Sequence, residues 1–186
     1  MALLRSYLYK QPRSAHATAT LSRPPAFGYP EEVLFWLHLI ATGAFLGSTA
    51  GLALFTVPRA RRTADPAARR SLVARALRVY DPLAIALLGV MVMTGAWSIT
   101  AYKQALGATY FASFGAHLAW KLALAFLVVM SGTYIAFGLG HRLVRQEDWG
   151  DAVDAERLSS MLTRLAGAAW LTVGLTVATV AVAVRR

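Results

Sequence analysis

The sequence predicts an all-α integral membrane protein, an antiparallel four-helix bundle. Three observations carry that expectation. Four runs of about twenty or more residues are almost free of charge, enough at 1.5 Å per residue for a bilayer core about 30 Å thick. The 186-residue chain is 57% hydrophobic and 15% charged, against about 25% charged in an ordinary soluble domain. Its net charge of +10, from 19 Lys+Arg and 9 Asp+Glu, collects between the runs rather than inside them. Such a balance suits nucleic acid in a soluble protein. Charges at the ends of apolar runs instead point to membrane lipids, through their anionic headgroups, or to an acidic partner, and no nucleic-acid role is expected. The absence of cysteine excludes disulfides, thioether-attached haem, cysteine-ligated iron–sulfur clusters and thiol catalysis.

The length fits one membrane domain, 31–186, behind a basic tail, 1–30. The first span, about 33–57, carries His38 as its only titratable residue and is expected to end at Pro58. The second, 82–102, follows Asp81-Pro82, which reads as a helix cap and first-turn proline. The third, 113–140, is interrupted only by His117 and Lys121, and the fourth, 163–184, opens on Arg164 and is uncharged from Leu165. Short connections make neighbouring helices antiparallel.

Loop one, between the first two spans, holds Arg59, Arg61, Arg62, Arg69, Arg70, Arg75 and Arg78. Asp65-Pro66 is a helix start, and the arginines suit a helix lying in the headgroup layer, with Arg59, Arg61, Arg62, Arg69 and Arg70 as lipid or partner contacts. Loop three adds Arg142, Arg145 and Arg157, together with the acids Glu147, Asp148, Asp151, Asp154 and Glu156. Those acids read as a solvated short helix or as a dock for a basic partner. Ten basic residues on this side against seven on the other place loops one and three in the cytoplasm of a bacterial inner membrane, and both termini in the periplasm. The tail, with four basic residues, no acids and Pro12, Pro24, Pro25 and Pro30, resembles a transit peptide and lacks the apolar core of a secretory signal. It cannot build a core of its own, so a larger membrane complex is its expected contact.

Ionisable residues inside a span are costly, and function is their default explanation. His38 and His117 fall at similar depth on helices that run in the same direction and face each other diagonally. Two such imidazoles can hold a b-type haem axially. Lys121 shares the His117 face and suits a haem propionate, a quinone oxygen or an acidic substrate. The plainer readings are a helix–helix hydrogen bond for each histidine and a lysine stem reaching to the headgroups. Gly43, Gly47 and Gly51 form a row on the side of the first helix away from His38, expected to pack against a neighbouring helix. Trp36, Trp97 and Trp120 fit an interfacial belt. Met91, Met93 and Met130 are expected in the core, and Thr94 and Ser98 are expected to bond back to their helix or across to a neighbour. His141 reads as a headgroup or helix-terminus contact, and His16 has no assigned role. Nothing resembles a phosphate loop, a nucleophile triad or paired carboxylates.

Several short motifs resemble the CopD/HemJ-like family of four-helix membrane proteins. They are Trp36-Leu37-His38, Val57-Pro58-Arg59, Leu77-Arg78 leading through Pro82 to Gly89 and Gly95, and His117-x-x-Trp120-Lys121-Leu122. The resemblance spans roughly 31–145 and implies a b-haem site using His38 with Lys121. Its HemJ-type members are protoporphyrinogen IX oxidases, and its CopD-type members are associated with copper handling. The leading expectation is therefore a non-catalytic or electron-carrying subunit of a bacterial respiratory or photosynthetic complex, binding b haem through His38 and His117. The alternatives are a HemJ-like oxidase and a cofactor-free structural subunit. Copper transport ranks last, because no Met/His row crosses the bilayer.

Overall fold

The computed structural model describes residues 31–106, 109–150 and 154–184, and the N-terminal tail lies outside them. Among the described residues every regular element is helical. Four long helices follow one another. The first, α1 (31–62), is α-helical over Glu31–Gly51, passes through a π-turn at Leu52–Thr56 and resumes over Val57–Arg62. The second, α2, is one unbroken helix, Pro66–Leu106. The third, α3 (109–148), repeats the pattern of the first: Thr109–Thr133, a π-segment at Tyr134–Gly140, then His141–Asp148. The fourth, α4, is Ala155–Val184. All four are long and apolar enough to cross a membrane.

Helix caps mark the same end of the bundle. Asp65 caps α2, its carboxylate accepting from the backbone N–H of Ala67 (3.1 Å) and Ala68 (3.0 Å), with Pro66 at the first helical position. Asp154 caps α4 by accepting from the Glu156 N–H at 3.1 Å. Gly150 ends α3 at φ 68°, a left-handed residue that closes a helix without the Cβ penalty. The cap at Asp65-Pro66 matches the sequence expectation.

Two other boundaries do not. Pro58 does not end α1. The Val57 N–H bonds to the Leu52 carbonyl in π register, and Pro58, which has no N–H to give, follows at the return to α geometry. Nor do Asp81-Pro82 begin a helix, and loop one holds no separate interfacial helix. Pro82 sits inside α2 with its ring exposed. At 41 residues α2 is about 60 Å long, roughly twice a bilayer core. Its first four turns pack with the ends of α1 and α3 and the start of α4 into an extension of the bundle. Val73, Leu77, Leu143, Leu158 and Leu162 are fully buried there. The arginines lie around that extension. Arg70 pairs with Glu147 and Arg78 with Asp148, so two acids of loop three dock on basic residues of loop one in the same chain.

Around the bundle the order is α1, α2, α3, α4, with α1 and α3 on a diagonal. The diagonal is crossed by Phe45, fully buried: a Cβ placed on Gly132 would lie 3.1 Å from its Cζ and 3.0 Å from Leu88 Cδ1. Packing is uneven along the axis. Residues 32–40, 95–100, 115–127 and 177–184 contain no buried position, whereas the core runs from Ala41 and Val128 to the turns. Within the apolar windows only 17% to 39% is buried, so most apolar side chains face outwards. Phe35, Trp36, Trp120, Phe126 and Phe137 are among them.

Candidate functional site

His38 lies one helical turn before Thr42, whose hydroxyl donates back to the His38 carbonyl at 2.7 Å. The imidazole reaches across to α2. Its Nδ1 is 2.7 Å from Thr94 Oγ1, and that hydroxyl is in turn 2.7 Å from the Val90 carbonyl and 3.2 Å from that of Met91. A threonine hydroxyl carries one proton. Given to Val90, it leaves Oγ1 as the acceptor for an Nδ1–H, and the ring then presents the Nε2 lone pair. Gly95 gives the ring its place: a Cβ there would stand 3.7 Å from His38 Cε1. A histidine held through one ring nitrogen by a neighbouring helix is the arrangement of an oriented metal ligand.

Alongside lies a wholly apolar groove of about 480 Å³ between α1 and α2, lined by Leu34, Leu37, Gly89, Met93 and Trp97 with Thr94. His38 is half-buried, as is Lys121, while His117 is exposed on α3. All three fall in the half of the bundle without buried positions. The His38 ring is engaged by α2, and α1 faces α3 across the diagonal, where Phe45 reaches Gly132. Lys121 shares its face with Leu124, Val128, Ser131 and Ile135, of which Val128 and Ile135 are buried, so that stripe leads into the core. Among the described residues no three His, Asp or Glu side chains cluster as a metal site. The donor set therefore fits one axial ligand to a haem iron, His38; with Phe45 set against Gly132, His117 and Lys121 lie further towards the open end of α3.

The remaining expectations divide. Ser98 bonds back to the Thr94 carbonyl at 3.0 Å, and Thr94 does both things expected of it. Gly43 and Gly47 are exposed, and a Cβ on either, or on Gly51, would touch nothing within 4 Å, so among the described residues the row packs against no other helix. Met91 packs on the core, but Met93 and Met130 are exposed, because an apolar side chain needs no burial on an outward apolar face. Of the loop arginines, Arg59 and Arg62 are exposed. Arg61 donates to Thr163 (3.4 Å), Arg69 to the Thr63 carbonyl (2.7 Å), and Arg70 pairs with Glu147.

Two polar features went unread in the sequence. Tyr80 is buried and hydrogen-bonded to Thr49 at 3.1 Å, with the Thr49 proton given to the Phe45 carbonyl at 2.8 Å. Next to it the Asp81 carboxylate packs on Gly140, with Oδ1 buried and unpaired. The second feature is a cavity between α3 and α4 beside the π-segment, ringed by arginines. The acid before Pro82 imitates a helix cap, and arginines divided between two helices give no local motif. No family model, curated protein or solved structure matches the chain.

Proposed function

We propose that this is an integral membrane subunit that binds b-type haem in the loosely packed half of its bundle. It carries electrons within a larger bacterial respiratory or photosynthetic complex. One observation supports this above the rest. His38 is held at Nδ1 by Thr94, itself tied to α2, so that Nε2 is directed away as an iron ligand would be. The apolar groove beside it suits a porphyrin face, and Lys121 suits a propionate or a quinone oxygen. The outward apolar surface supports placement in the bilayer. Bound haem supplies one-electron chemistry; the chain supplies its ligand, its apolar surroundings and a cation. The test is the reduced-minus-oxidised spectrum of the purified protein and of His38→Ala, His117→Ala and Thr94→Val. A b-type α band that is lost in His38→Ala supports the reading, and no band in the parent protein sinks it.

A second reading, a cofactor-free structural subunit, draws on the exposed row of Gly43, Gly47 and Gly51, which offers close approach to a helix of another chain. A purified complex that lacks haem and retains this chain favours it.

A further inference from the structure

Four guanidinium groups surround one cavity near the closed end of the bundle. Arg142 and Arg145 come from α3, and Arg157 and Arg164 from α4. The cavity is about 480 Å³, and among the described residues no carboxylate lines it. Three nearby acids are engaged elsewhere: Glu147 and Asp148 turn to Arg70 and Arg78, and Asp154 caps its own helix. Among the described residues none of the four arginines has a carboxylate partner. Arg145 is ordered by stacking on Trp149, with its guanidinium carbon 3.9 Å from the ring centroid. Four like charges gathered without counter-charge repel one another, and a bound anion removes that cost.

The surroundings specify the anion further. Gln146 lines the cavity with its side-chain amide oxygen buried and unpaired, an acceptor awaiting a hydroxyl donor. Arg142 follows the apolar stretch of α3 one residue on, after His141, and Arg164 directly precedes that of α4. The deeper rim is Tyr134, exposed, in a π-segment whose wider turn sets it over Gly138; a Cβ on Gly138 would meet its ring at 2.8 Å. Beyond it the outer face continues through exposed Phe137 and Met130. A phosphate in the cavity would thus sit where an apolar surface begins.

We propose that this cavity binds a phosphate group carried by an anionic glycerophospholipid, its phosphate among the four arginines and a headgroup hydroxyl on Gln146. Basic pockets between membrane helices suit such headgroups. The inference uses the bilayer placement proposed above but not the haem, so the two fail separately.

The test is native mass spectrometry of the full chain in mild detergent with phosphatidylglycerol, cardiolipin or phosphatidylcholine, with inorganic phosphate and glycerol phosphate as soluble competitors. The parent protein should retain phosphatidylglycerol or cardiolipin about tenfold better than phosphatidylcholine. Arg142→Gln/Arg164→Gln should lose that preference. Arg157→Gln, a single exposed change in the cavity, should weaken it and serves if the double variant does not fold, whereas Arg75→Gln, a single exposed change outside the cavity, should keep it. Equal retention of all lipids, a preference that survives in the cavity variants, or one lost equally in Arg75→Gln overturns the proposal. Displacement by inorganic or glycerol phosphate at equal concentration also overturns the lipid and assigns the cavity to a soluble phosphate ester.

Discussion

Alanine at Gly140 should destabilise the protein, and only because of Asp81. The Gly140 backbone is ordinary right-handed helix, φ −62° and ψ −56°, so its conformation does not require glycine. On an unobstructed helix the change to alanine gains about 0.5–1 kcal/mol. Here the new Cβ would stand 2.5 Å from Asp81 Oδ2 and 2.6 Å from Oδ1. Carbon–oxygen contacts settle near 3.3 Å or beyond, so both oxygens must retreat by about 0.7 Å. The carboxylate is already poorly placed to do so, with Oδ1 buried and unpaired. Overpacking of this kind costs about 1–3 kcal/mol. In an Asp81→Ala background the obstruction is gone and the same change should recover its gain, giving a coupling of about 1.5–4 kcal/mol. Reversible unfolding in mixed micelles, followed by tryptophan fluorescence as anionic detergent displaces a mild one, measures all four corners of the cycle. Gly174→Ala, where a Cβ meets nothing, is the unhindered control. Equal effects of Gly140→Ala in both backgrounds, to within about 0.5 kcal/mol, would refute the contact.

Thr94→Val keeps the volume of the side chain but removes the oxygen that holds His38, so haem retention should fall about tenfold to a hundredfold, seen as a smaller α band at equal protein. The two ion pairs at the closed end should differ. The side chains of Arg70 and Glu147 are 15% and 22% exposed, those of Arg78 and Asp148 47% and 50%. A double-mutant cycle should give about 1–3 kcal/mol for the first and about 0–1 for the second, with the second abolished by molar salt. Equal couplings would mean that the extension of the bundle is not packed as described.

Hydropathy made the four helices legible because a run of about twenty uncharged residues has few other uses. Caps were legible where their chemistry is local, as at Asp65-Pro66. Asp81-Pro82 carries the same signature and sits mid-helix, because the packing of α2 against α1 and α3 carries the chain through a proline that a loop would otherwise take. The π-segments have no sequence signature of their own. They decide the most, since one admits Pro58 and the other sets Gly140 against Asp81 and Tyr134 over the arginine cavity. His38 stood out as the only titratable residue of its span, whereas its partner Thr94 is an unremarkable residue on another helix. The glycine row was readable as a packing motif but not as one that faces away from the other described helices. Outward and inward apolar faces look alike in a sequence this apolar.

The central claim is that His38 ligates a b-type haem. The direct measurement is the reduced-minus-oxidised visible spectrum of the purified protein beside that of His38→Ala, with both shown to be folded by circular dichroism. The account predicts a b-type α band in the parent protein that disappears in the variant. A folded parent protein with no such band, or a band of full height in His38→Ala, would contradict it.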